Sequence, residues 1–151
     1  VPKSFSEMLL RIRHVIKKFR NVPVFMIARR RIYLTLLVLW VAFTFLLTSV
    51  PNPQVDIPLP YADKIAHFGF YAVMGFLCAL WQRESGRKEW GSVLAGLIFA
   101  SLVGAVDETH QYWIPGRSMD LFDWIADTVG GGAGALSSRL LSAWLPFLLT
   151  E

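Results

Sequence analysis

IYLTLLVLWVAFTFLLTSV, residues 32–50, is a run of 19 residues without a charge, nearly all of them apolar. A helix needs about 20 such residues to cross the hydrocarbon core of a bilayer. Arg29, Arg30 and Arg31 precede the run, and Pro51 and Pro53 follow it. Proline lacks the N–H that would continue a helix, so the run has a defined end. It is too long for the apolar region of a signal peptide and has no convincing cleavage site, so it reads as a retained membrane span.

Three more apolar stretches follow. Ile65–Trp81 carries His67 as its only residue that readily takes a charge, and counted from Tyr61 it is long enough to span. QRESGRKE, residues 82–89, turns the chain. Trp90–Val106 is uncharged and places Gly96, Ala100 and Gly104 four residues apart, a small-residue stripe that lets helices approach closely. A polar connection, DETHQYWIPGRSMD, leads to a fourth stretch from Asp120 to about Leu140, with Gly130 and Gly134 forming another small-residue step. The reading is an all-α membrane protein. A domain at 31–149 forms a bundle of about four transmembrane helices, near 31–50, 62–82, 90–110 and 120–140. Residues 3–20, with Phe5, Leu9, Ile12, Ile16 and Phe19 recurring among basic residues, predict an amphipathic interfacial helix within a basic segment at 1–30.

Composition agrees. Of 151 residues, 54% are hydrophobic and 17% charged, and the mean hydropathy is +0.46. A soluble domain of this size needs more polar surface than that. Cys78 is the one cysteine; it excludes an internal disulfide and reads as a small core residue. No P-loop or dinucleotide fingerprint is present, and no nucleic-acid motif. The net charge of +4 follows membrane topology instead. Nine of the fifteen Lys/Arg lie in the first 31 residues, three more in the 82–89 turn, and Arg139 near the C-terminal end. The two opposite connections hold only Lys64 and Arg117. Since Lys and Arg accumulate in cytoplasmic loops, both termini are expected in the cytoplasm, and the 51–65 and 107–127 stretches on the outer face.

Those two stretches hold the candidate chemistry. In DKIAHFGFY, residues 63–71, Asp63 and His67 are four apart, as are His67 and Tyr71, so Asp63, Lys64, His67 and Tyr71 share one side of a helix. In the second stretch Glu108 and Gln111 are three apart, and Asp120, Asp123 and Asp127 follow at i, i+3 and i+7, with Asp127 deepest. Ionisable groups at such depth face the bundle interior and pair. The partners to hand are Arg117, Lys64 and His67. Arg117 is the only outer-side guanidinium and is expected to pair with Glu108 or Asp123. His110 and Asp107 read as interfacial. Trp81, Trp90, Trp113 and Trp144 read as belt anchors.

The pattern Asp63-Lys64-x-x-His67-x-x-x-Tyr71, followed by Asp107-Glu108-x-x-Gln111, Pro115-Gly116-Arg117 and Asp120-x-x-Asp123, resembles the VanZ-like family of small membrane proteins. The resemblance covers about residues 61–136. The family's pattern often carries Asn where this chain has Asp127. Membership would imply a multi-span protein of the bacterial envelope, and the namesake is linked to reduced susceptibility to a lipoglycopeptide antibiotic.

Three functions compete on these residues. The first is binding or handling of an anionic membrane lipid or a lipid-linked cell-wall precursor. Arg117 would grip its phosphate or carboxylate as a planar fork and Lys64 as a point charge, with Asp63, Tyr71, Gln111, Asp120 and Asp127 around them. The second is a membrane-embedded hydrolase or transferase acting on such a lipid. His67 would be a base oriented by Asp63, and Glu108 and Asp123 acid–base groups. No serine or cysteine sits in a nucleophile motif. No metal or other cofactor is expected: His67, Glu108 and Asp123 could hold a divalent ion, but their spacing matches no metal signature. The third is a structural or assembly subunit whose polar network holds the bundle.

Overall fold

The computed structural model describes residues 4, 5, 7, 8, 23–51 and 61–144. Within them the chain forms four helices and no strand: α1 (Pro23–Thr48), α2 (Ala62–Glu84), α3 (Glu89–Gln111) and α4 (Leu121–Trp144). The expected amphipathic helix at 3–20, Pro53 with the rest of the first connection, and the tail beyond Trp144 lie largely or wholly outside the described residues.

The helix ends follow from local chemistry. α1 is described from Pro23, so it includes the eight residues before the expected position, and Arg29–Arg31 lie inside it. α2 starts after Tyr61, in a left-handed conformation (φ 60°), with Asp63 in its first turn. It ends at Glu84 and is closed by Gly86, φ 88°: the Gly86 N–H bonds the Arg83 carbonyl (2.9 Å) and the Arg87 N–H bonds the Gln82 carbonyl (3.1 Å), capping the last carbonyls. After α3, Ile114-Pro115-Gly116-Arg117 closes a tight turn: Pro115 presets its own φ, Gly116 takes φ 80°, and the Arg117 N–H reaches the Ile114 carbonyl at 3.0 Å.

α2, α3 and α4 pack on one another, while α1 lies along α2 and barely meets α3. Glycines set the spacing. A Cβ on Gly75 would overlap the backbone of Gly131, and one on Gly134 the Ala72 carbonyl, so α2 and α4 are in backbone contact. Gly96 and Ala100 of the expected stripe are buried against this pair. Beside it, Leu37, Tyr71, Met74, Cys78 and Ala100 form the apolar core. Trp40 ties α1 to it by donating its indole N–H to the Phe70 carbonyl at 2.8 Å.

Apolar side chains also cover the outside. Leu94, Ile98, Leu102 and Val106 make an exposed stripe on α3, and Leu36, Val38, Leu39 and Leu46 are exposed on α1. A water-soluble protein rarely shows such contiguous apolar surface. Three helices are long and apolar enough to cross a membrane: Met26–Thr48, Ala62–Glu84 and Glu89–Gln111. The molecule is a multi-pass membrane protein on that basis. α4 is as long, but Asp123, Asp127 and Arg139 interrupt its apolar sequence.

The two ends of the bundle differ in charge chemistry. Where α2 turns into α3, Arg29 approaches Glu84 (3.6 Å), and Arg83 and Arg139 both hold Glu89 (3.2 and 3.1 Å). Arg139 also lies 4.2 Å above the Trp90 ring, so that indole serves as a cation platform as well as an exposed aromatic. The opposite end collects Asp63, Asp107, Glu108, Asp120, Asp123 and Asp127.

Candidate functional site

At that opposite end each helix contributes. Lys64, in the first turn of α2, places Nζ 2.9 Å from Asp63 Oδ2, 2.9 Å from Asp120 Oδ2 and 3.0 Å from Asp123 Oδ1. An ammonium has three donors, and here all three meet a carboxylate. Asp120 stands just before α4 and does two things at once. Its Oδ1 accepts the Phe122 N–H (2.8 Å), capping α4, while Oδ2 takes Lys64. The hydrogen bond from Lys64 holds the Asp120 carboxyl below the usual carboxylate range.

One turn deeper, His67 Nδ1 is 2.9 Å from Asp127 Oδ1. Asp127 is fully buried and its other oxygen, Oδ2, has no hydrogen-bond partner. This carboxylate fits only because position 104 is glycine: a Cβ there would come within 2.7 Å of Oδ2. Glu108 accepts the Asp120 N–H on Oε2 (2.7 Å) and Gln111 Nε2 on Oε1 (3.3 Å). One ligand atom from each of His67, Glu108 and Asp127 can be chosen so that all three lie within 4.8 Å of one another.

A second buried centre forms on Asp107. Its carboxylate accepts the Thr48 hydroxyl at 2.6 Å, the Tyr71 hydroxyl at 3.2 Å and Gln111 Nε2 at 3.4 Å. This joins α1, α2 and α3. The Tyr71 ring also lies nearly parallel to His67, with centroids 6.4 Å apart, as the four-residue spacing predicts.

A cavity of about 310 Å³ opens between α1 and α2 beside these groups. Asp63, His67, Tyr71, Thr44, Thr48 and Arg117 supply its polar wall, and Leu47, Ala62, Ala66 and Phe70 its apolar wall. Glu108, Gln111 and Asp123 are not among its lining residues.

Several sequence expectations change here. Arg117 pairs with neither Glu108 nor Asp123. The turn at Pro115–Gly116 carries it over the end of α1, where Nε and one terminal nitrogen donate to the carbonyls of Val50 and Leu47, each at 3.3 Å. Lys64 takes the carboxylate role instead. The carboxylate orienting His67 is Asp127, not Asp63, and the cluster suited to a cation contains Asp127 rather than Asp123. Asp107 is fully buried, not interfacial. The signal for it was present: Asp107 and Gln111 continue the Gly96–Ala100–Gly104 stripe at the next inward positions of the same helix face. Thr48 offered no such signal, being one of several hydroxyls scattered in an apolar run.

Among known proteins, the sequence model of a family described as VanZ/LLP1 matches residues 4–142, nearly the whole chain and well beyond the 61–136 stretch that carries the motifs. No curated protein matches the chain, and no solved structure does.

Proposed function

The chain belongs to the VanZ/LLP1 family, and from that premise and the lining of the cavity we propose that it binds the anionic headgroup of an envelope lipid or lipid-linked cell-wall precursor. The observation that carries this is Arg117. Arg117 is one of the cavity's lining residues, yet no carboxylate among the described residues pairs with it. An always-charged group with free donor capacity is suited to a phosphate or carboxylate. The cavity is at the small end of ligand sites, the right scale for a headgroup, and Leu47, Ala62, Ala66 and Phe70 give it an apolar side.

The topology belongs to the same reading. α4 is 24 residues long, about 36 Å of helix. Its outward residues Phe122, Ile125, Val129, Leu136 and Leu140 are apolar, and its carboxylates point inward. It therefore serves as a fourth crossing. Four crossings put both termini on one side, and the Lys/Arg distribution makes that side cytoplasmic. The protein then lies in the bacterial inner membrane, with the basic 1–30 segment at the cytoplasmic interface and the site on the outer face. A link to glycopeptide susceptibility follows at the level of the family.

Lipid mass spectrometry on detergent-purified protein tests the proposal. Wild type should retain an anionic lipid, and Arg117→Gln, which keeps an amide donor for the α1 carbonyls, should lose it at least tenfold with little change in melting. Unchanged retention would overturn the headgroup reading. A second reading, an enzyme acting on the same lipid, is favoured by the His67–Asp127 pair at the cavity wall, the geometry of a base and its orienting carboxylate. Glu108 and Asp123 are then its further acid–base candidates. On that reading His67→Gln retains lipid but abolishes turnover.

A further inference from the structure

We propose that His67, Glu108 and Asp127 form a binding site for a divalent first-row cation, of which Zn²⁺ is the best fit. The three residues come from α2, α3 and α4, so the site is built on rigid elements that pack against one another. Their ligand atoms already lie within 4.8 Å of one another. Tetrahedral coordination at zinc–ligand distances brings such atoms to about 3.4 Å, a closing movement within reach of side-chain rotation.

The independent observation is the orphaned Oδ2 of Asp127. Asp127 is fully buried, and Oδ2 meets neither a donor nor solvent. A buried carboxylate oxygen in that condition is rare and costly. The surrounding charge sharpens the point. Asp107, Glu108, Asp123 and Asp127 are all buried, and the nearest ammonium, on Lys64, is already divided among Asp63, Asp120 and Asp123. Left ionised, these carboxylates exceed what His67 alone can balance. A divalent cation between the three ligands would satisfy Oδ2 and neutralise the surplus together.

The donor set selects the ion class. One imidazole nitrogen and two carboxylates suit zinc, manganese or ferrous iron. Magnesium and calcium favour all-oxygen shells, and cuprous copper favours thiolates. A route in exists, because His67 lines the cavity between α1 and α2. Gly104 leaves the space that the Asp127 carboxylate occupies. The inference rests on this geometry and stands whether or not a lipid headgroup occupies the cavity.

The test uses detergent-purified full-length chain, stripped with chelator and then dialysed against Zn²⁺ or Mn²⁺. Elemental analysis should find about one equivalent bound. Asp127→Asn and Glu108→Gln should each weaken binding at least tenfold, whereas Glu89→Gln, at the other end of the bundle, should not. Zn²⁺ should also raise the melting temperature of wild type and leave that of Asp127→Asn unchanged. Either of two results overturns the proposal. One is no metal retained while metal-free Asp127→Asn melts above wild type, which makes the orphan carboxyl a proton carrier. The other is equal metal retention by all variants, which places the ion on the surface.

Discussion

Replacing Lys64 by Met should destabilise the protein by about 2–3 kcal/mol, nearly all of it through Asp123. The ammonium holds three carboxylates, but they are unequal. Asp63 and Asp120 are open to solvent and can be rehydrated, so their loss is cheap. Asp123 is 12% exposed and Lys64 25%. Removing one partner of a fully buried pair costs about 3–5 kcal/mol, because the other charge is stranded, and residual exposure lowers that figure. Met keeps the length and the apolar stem, so packing is little changed. Thermal unfolding in a mild detergent reads the loss. A double-mutant cycle with Asp123→Asn isolates the pair, whose coupling should be about 1–2 kcal/mol, since in the double variant neither charge remains to be stranded. The reasoning is refuted if Lys64→Met melts within half a kcal/mol of wild type, or if the two changes simply add.

Gly134→Val should cost about 1–3 kcal/mol or more by forcing α4 off the Ala72 carbonyl, a drop in melting temperature that Gly69→Ala, with open space around it, should not show. Thr48→Val removes the hydroxyl that Asp107 accepts at 2.6 Å and keeps its shape, so about 1–3 kcal/mol should be lost on thermal unfolding. Because Lys64 holds the Asp120 carboxyl below its ordinary 3.8, Asp120 stabilises the fold above that value and the contribution is lost as pH falls through the lowered one. Melting curves of wild type should therefore drop toward those of Asp120→Asn, which keeps the cap, only on acidification below about pH 4; a gap that persists in strong acid contradicts the assignment. An impermeant thiol reagent applied to intact cells should label Met119→Cys and not Ser85→Cys; the reverse pattern turns the bundle over and moves the site to the cytoplasmic side.

How far the sequence reached depended on whether a feature is local. The apolar run at 32–50 is legible because a chain in lipid must satisfy its own backbone hydrogen bonds, and a helix does so within the segment. The pairing of His67 with Tyr71, and of Glu108 with Gln111, is likewise intrinsic to helical spacing. The partners of Lys64, His67 and Arg117 were not legible, because they depend on which helices are neighbours. α2 and α4 are separated by a whole helix in sequence yet share backbone contact at Gly75–Gly131 and Ala72–Gly134. That contact puts Asp120, Asp123 and Asp127 in front of Lys64 and His67. Charge alone favoured Arg117 for the same carboxylates, and the Pro115–Gly116 turn carries it to α1 instead. The basic segment at 1–30 gains no such account, since most of it lies outside the described residues.

The polar end is more than the bundle needs for cohesion. Interhelical hydrogen bonds in membranes are worth about 0.6 kcal/mol on average, because the separated helices also find partners in lipid. Glycine contacts along α2, α3 and α4 already give close packing. Thr48, Tyr71 and Gln111 around Asp107 could still be cohesion, since that carboxylate is saturated with donors. Asp127 is only half accounted for in this way, through Oδ1 on His67. Its desolvation is complete, one oxygen returns nothing, and Gly104 gives up a side chain to make room for it. A carboxylate kept at a net cost beside a histidine that lines a cavity is what the proposed cation site requires. Asparagine at 127 would keep the shape and remove the cost, so comparing wild type with Asp127→Asn reads what the carboxylate itself contributes.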